Sequence, residues 1–202
     1  MRLERKHIDM KWTTDNKNGP AARHSDAHLF AALSIISEKE CISRSDLSEE
    51  LGLGEGSTRN LIKTMRTWKQ IDVRQTGIRL SALGRETLET LPIRFVSISN
   101  HEYVRGEYQQ GIIIKGRSED IQNGMKQRDI GIRYGSDGAS VFIMRNGSII
   151  FPKDVNVDES DPEFAKEIRS TGMSEGDVLI IVGSDSLPTS RIAAAGIGLE
   201  TI

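Results

Sequence analysis

Three glycines in five residues, Gly52-Leu-Gly-Glu-Gly56, stand between two short stretches of helical periodicity. Each glycine costs a helix about 1 kcal/mol relative to alanine, so the run breaks the helix and turns the chain tightly back. Before the turn, Arg44 to Leu51 places Leu47 and Leu51 one helical turn apart, with Ser43 or Ser45 as a cap near its start. After it, Ser57-Thr-Arg-Asn-Leu-Ile-Lys-Thr-Met-Arg-Thr-Trp68 carries two stripes at the same spacing, and the helix ends near Lys69. Leu61, Met65 and Trp68 form one stripe; Arg59, Lys63 and Arg66 form the other. The stripes are offset by two residues, roughly 200° around a helix, so one face is to be buried and the opposite, basic face presented.

The flanking sequence extends this pair of helices into a module. Ser25 or Asp26 caps an expected helix over about 26–38, with Leu29, Leu33 and Ile36 as its inner stripe. Beyond the basic helix, Ile71-Asp-Val-Arg-Gln75 and Ile78-Arg-Leu80 alternate around Thr76-Gly77 and predict a short hairpin. Ser81 to Leu91 returns to helix and Pro92 stops it. The stretch LSEELGLGEGSTRNLIKTMRTWKQIDVRQTGIRLSALGRETL resembles the winged helix-turn-helix module of prokaryotic transcriptional regulators. In that resemblance Leu47 and Leu51 belong to the support helix, Ser57–Trp68 to the recognition helix, and RLSALGRE to the exit from the wing. Trp68-Lys69-Gln70-Ile71 stands where many relatives have a glycine.

Charge follows the module. The net charge is −2, yet residues 57–85 carry seven basic side chains (Arg59, Lys63, Arg66, Lys69, Arg74, Arg79, Arg85) against the single acid Asp72. The resemblance implies a recognition helix in the major groove of duplex DNA. Arg59 and Asn60 are then expected near base edges, and Ser57, Thr58, Lys63 and Arg66 at the backbone. Arg74 and Arg79 flank the wing tip, within reach of phosphate or minor groove. A solvated helix surface, or a winged helix used for protein–protein contact, is the competing reading of the same stripe.

From Pro92 onward the composition changes. Strands are expected around 94–98, 111–115, 139–145, 148–151 and 177–182, with an Asn146-Gly147 hairpin turn. Helices are expected around 124–134, 161–171 and 188–197, followed by a short tail, Leu199–Ile202. The order β-α-β-β-α-β over 111–182 fits a ferredoxin-like sandwich. The expected organisation is thus α+β: a polar arm at 1–24, a winged helix-turn-helix at 25–91, and an α/β domain at 93–202 that senses a ligand or dimerises. Over the whole chain, IIIKG, MKQRDIGIRYGSDGASVFI and NGSIIFP resemble a small archaeal family of uncharacterised winged-helix proteins with a C-terminal α/β domain. That resemblance implies a transcriptional regulator.

In the second half, Lys115-Gly-Arg117 after a strand and Gln127, Arg128, Asp129 and Arg133 on the next helix form a candidate site for a small anionic ligand. Asp129 and Arg133, four apart, can instead pair on the helix surface. Gly183-Ser-Asp-Ser-Leu-Pro188 lacks a phosphate-loop lysine, and Gly196-Ile-Gly198 lacks the strand, helix and third glycine of a dinucleotide site. His7, His24, His28 and His101 show no zinc-ligand spacing beyond the i, i+4 pair His24 and His28. Cys41 is the lone cysteine and is expected to be a buried, inert thiol, so no disulfide or cysteine-based zinc site is expected. No catalytic constellation, cofactor loop, secretory signal or membrane-spanning run emerges, so the expectation is a cytoplasmic, non-enzymatic homodimer without cofactor or metal. An enzyme in the second domain, fused to a DNA-binding head, is the alternative of a different class.

Overall fold

A computed structural model describes residues 25–99, 101–151 and 154–202; the polar arm and His24 lie outside the described residues. The chain is α+β, with helices toward the N-terminus and an antiparallel sheet in the C-terminal part. The N-terminal half, here called the head, begins with α1 (Asp26–Lys39), α2 (Arg44–Glu50) and α3 (Glu55–Thr67). Ser43 caps α2 by accepting from the Asp46 N–H. Gly54 caps α3, so the helix starts two residues before Ser57 and takes Glu55 and Gly56 into its first turn. The hairpin β1 (Ile71–Arg74) and β2 (Gly77–Leu80) turns through Gln75-Thr76, and Ile42 bridges to Ile78. Helix α4 (Ala82–Thr90) follows, capped by Ser81. This is the helix, helix, turn, helix, hairpin order expected of a winged helix.

Lys69 explains the missing glycine. It has φ +58°, and the bonds Lys69 N–H to Arg66 O and Gln70 N–H to Met65 O close the end of α3 in a Schellman turn. That turn needs a left-handed residue, which glycine adopts freely and lysine at a cost of about 1–2 kcal/mol.

The C-terminal half, or body, contains β3 (Ile93–Val96), β4 (Tyr108–Ile114), α5 (Met125–Arg133), β5 (Gly138–Arg145), β6 (Ser148–Phe151), β7 (Val155–Asn156), α6 (Val157–Ser160), α7 (Pro162–Ser170), β8 (Val178–Ser184) and α8 (Leu187–Thr201). The six strands form one antiparallel sheet in the order β3-β4-β8-β5-β6-β7.

Two expectations are corrected here. In a ferredoxin-like sandwich the third strand lies between the first two, and both helices cover one face. Here β4-α5-β5 is split by β8 instead, and α7 packs on the face opposite α5. The reason lies in β8, whose seven residues are all buried: a strand apolar on both sides belongs in the middle of a sheet covered on both faces. The expected tail Leu199–Ile202 is largely helical, because α8 runs on to Thr201.

One apolar cluster crosses from head to body. It joins Leu29, Phe30, Leu33 and Ile36 of α1 to Ile192–Ile197 of α8, and to Ile112, Val141 and Ile180 of the sheet. Helix α1 therefore buries Ala27, Ala31, Ala32 and Ile35 as well as its expected stripe. Close approach of α8 depends on its small residues: a Cβ on Gly196 would lie 2.4 Å from the Tyr134 ring, and one on Gly198 2.6 Å from Ile112. That is a packing role for the glycine pair. The opposite sheet face holds a second cluster, with Phe142, Leu179 and Ile181 against Phe164 and Ile168 of α7.

Candidate nucleic-acid interface

Helix α3 is divided as its stripes require. Leu61 and Met65 are fully buried, Ile62 nearly so, and Trp68 packs half-buried at the edge of the core. Arg59, Asn60, Lys63 and Arg66 are exposed on the other side, covered by no described part of the chain. Ser57 is half-buried at the helix start.

Thr58 is a correction. It is wholly buried, and its hydroxyl donates toward Gly54 O at 3.2 Å and Ser48 Oγ at 3.1 Å. Ser48 in turn donates to Leu53 O at 2.5 Å. Thr58 thus ties α3 to α2 across the glycine turn and cannot reach a phosphate. Position 58 lies one turn before the buried Ile62, on the apolar side that the Leu61, Met65, Trp68 stripe drew too narrowly.

The electrostatics of this face differ from those of much of the body. Ion pairs among the described residues draw on Lys39, His101, Arg117, Arg133, Arg145, Arg169 and Arg191. None takes a cation from Arg59, Lys63, Arg66, Arg74 or Arg79. Arg59 and Arg66 stand seven residues apart, about 10 Å along the axis at 1.5 Å per residue, comparable with the roughly 12 Å width of a major groove. On the hairpin, Arg74 and Arg79 are exposed beside Asp72, which sits directly opposite Arg79 in the strand register. The two arginines, with Arg85, Asp72 and Glu40, line a cleft of about 730 Å³ between the hairpin and the end of α1.

The head is held to the body by charge as well as packing. Glu50 at the end of α2 bonds Arg191 of α8, and Lys39 of α1 approaches the same carboxylate at 3.3 Å. Burial alone would raise the Glu50 carboxyl; the Arg191 and Lys39 cations outweigh it and hold the group below its ordinary range. Cys41 is half-buried where full burial was expected, and its thiol donates to Thr76 O at the hairpin turn. His28 serves the first turn of α1, its Nδ1 accepting from the Ser25 N–H at 3.1 Å.

The residues expected to bind an anion are largely engaged elsewhere. Arg117 pairs with Asp120 at 2.9 Å, and Arg133 pairs with Glu200 of α8 at 2.6 Å in place of Asp129. Gln127 is buried. Lys115 and Gly116 are exposed after β4, with the Gly116 N–H donating to Asp177; Arg128 and Asp129 are exposed on α5.

A cluster with no signal in the sequence lies on the other face of the body. The His101 ring stacks on Phe164 at 3.9 Å between centroids, and its Nε2 contacts Glu167 at 3.0 Å. Tyr103 stacks on the same ring and donates to Asp161. Burial works to raise the Glu167 carboxyl, but the Ser99 N–H and hydroxyl and His101 together hold it low. The partners are more than 55 residues apart in sequence, so no local spacing could have shown them.

Comparison with known proteins adds the fold's kinship. Residues 104–202, just under half of the chain, match the model of a domain of unknown function, DUF4443. No curated protein matches the chain. Its fold is similar to that of the hypothetical protein PH0730 from Pyrococcus horikoshii OT3, with a TM-score of 0.72 at 24% identity over 88% of this chain and 92% of that one. The shared fold therefore extends beyond the matched domain into the head. Among the described residues, no helix is long and apolar enough to cross a membrane.

Proposed function

We propose that the protein is a transcriptional regulator that binds duplex DNA through α3 and the β1–β2 hairpin, as a homodimer whose body senses a small ligand. The observation that carries this reading is the cation row Arg59, Lys63, Arg66, exposed and without carboxylate partners on a helix whose reverse face is locked into the core. A rigid helix holding unpaired cations at one-turn intervals matches what phosphate-anchored, groove-reading recognition requires. Arg59 and Asn60 sit toward the N-terminal end of α3, where a recognition helix meets base edges. Lys63, Arg66, Arg74 and Arg79 supply backbone contacts.

The shared α1–α8 core makes head and body one unit. A signal received in the body would then act by changing the spacing of two heads in a dimer, and not by swinging a head on a linker.

The test is fluorescence anisotropy of a mixed duplex pool at several salt concentrations, comparing wild type with Arg59→Ala/Lys63→Ala/Arg66→Ala. Each phosphate contact contributes about 0.9 to the slope of log affinity against log salt. Because Arg59 is assigned to base edges, the triple variant is expected to lose about 1.8 of slope through Lys63 and Arg66, with a further loss of affinity through Arg59. Equal binding by both proteins, or none by either, refutes the proposal.

A further inference from the structure

Helix α5 leaves two large apolar side chains in solvent, Met125 and Ile132, with 57% and 47% of their surface exposed. Six such side chains are exposed among the described residues, and these two alone share an element. At 100° per residue, Met125, Arg128, Asp129 and Ile132 fall within about 100° of one another on the helix. The buried residues Gln127, Ile130 and Gly131 occupy the opposite side, against the body. The exposed strip has apolar ends and a charged centre of both signs.

Neither central charge is satisfied within the chain. Neighbours at i, i+1 do not face each other on a helix, so Arg128 and Asp129 cannot pair together. The one cation four residues from Asp129 is Arg133, and it is committed to Glu200. Arg128 has Gly124 and Ile132 at the same spacing. No ion pair among the described residues includes Arg128 or Asp129.

The order of these four residues is symmetric about one point. Arg128 and Asp129 lie half a residue either side of it; Met125 and Ile132 lie three and a half residues either side, about 5 Å along the axis. We propose that this strip is the contact between two copies of the chain, packed as antiparallel α5 helices about a two-fold axis between residues 128 and 129. A two-fold contact requires a surface complementary to itself. This one places Arg128 against Asp129 of the second copy, twice, and Met125 against Ile132 of the second copy, twice. A partner of different sequence would have no need of that symmetry. The inference rests on the dimer in the proposed function and supplies its surface; it does not depend on DNA binding.

Two helical turns make a small contact, at or below the low end of specific interfaces. Association is therefore expected to be weak, in about the high micromolar range. Sedimentation equilibrium of the full chain without DNA, from micromolar to millimolar protein, measures it. Asp129→Arg sets arginine against arginine and is expected to weaken the dimer about tenfold or more. The swap Arg128→Asp/Asp129→Arg restores opposite signs across the axis and is expected to recover affinity to within about threefold of wild type. Both positions are exposed, and circular dichroism verifies that each variant is folded. A wild type that sediments as a monomer throughout overturns the dimer and this surface together. A wild-type dimer unaffected by Asp129→Arg overturns the surface and leaves the dimer to another face. Failure of the swap to rescue overturns the antiparallel arrangement.

Discussion

Replacing Phe30 by alanine tests whether the head can be treated as a domain of its own. Phe30 lies in α1, is wholly buried, and meets the ring of Phe95 in β3 edge-on at 5.1 Å between centroids. It belongs to the cluster that continues through α8 to the sheet. Truncating a buried phenylalanine to alanine costs about 3–5 kcal/mol through lost transfer energy and the cavity left behind. For a protein of this size, a urea dependence of about 2 kcal/mol per molar converts that loss into a midpoint lower by about 1.5–2.5 M. Urea unfolding is followed by the fluorescence of Trp68, in a Trp12→Phe background so that the signal comes from the head alone, and by far-ultraviolet circular dichroism, which sums head and body helices. A shared core predicts one transition by both probes, before and after the substitution, with both midpoints falling together. A two-step curve, in which Trp68 moves to lower urea while the remaining ellipticity keeps its original midpoint, refutes the shared core and the rigid coupling of head to body.

Thr58→Val separates structure from recognition on the same helix: it is expected to cost about 1 kcal/mol of stability through its lost hydroxyl bonds, while the salt slope of DNA binding stays as in wild type. Urea midpoints and anisotropy together check this, and a reduced slope in a folded variant would return Thr58 to the interface. Glu50 gives a pH signature. Its carboxyl is held below the ordinary range in the folded state, so its contribution is present above about pH 4.5 and lost as pH falls through the folded value. Glu50→Gln should therefore flatten the fall in stability below about pH 4.5, measured by urea midpoints across a pH series; an unchanged acid limb would show that the Arg191 and Lys39 contacts do not stabilise the fold.

Much of the head was legible because its signals are local. Ser43 and Ser81 announce helix starts three residues from the N–H groups they accept, and the stripe of α3 fixes which side faces inward. Asp161 with Pro162, and Asn146-Gly147, did the same for α7 and the β5–β6 hairpin. What escaped depends on distant partners. The sequence of α1 shows one apolar stripe, but its alanines are buried because α8, some 165 residues later, covers them. The place of β8 in the sheet follows from competition among all six strands, which no spacing rule expresses. Thr58 reads as a polar residue on a basic helix until Ser48 is seen beside it. The His101–Glu167 contact joins residues 66 positions apart.

The central position of β8 also sets the order in which the body can form. Strands β3 and β4 pair with each other, and β5, β6 and β7 form a separate meander; these two ribbons meet only through β8. Until β8 inserts, β4 and β5 each present an open edge of unpaired backbone groups bearing isoleucine-rich apolar faces. Closing the sheet requires contacts across some 70 residues on one side, from Tyr108 to Ser184, and about 45 on the other, from Gly138 to Gly183. Such non-local pairing slows folding, and open apolar edges pair readily with other chains. The same strand that gives the finished molecule its centre leaves the unfinished one with two adhesive edges.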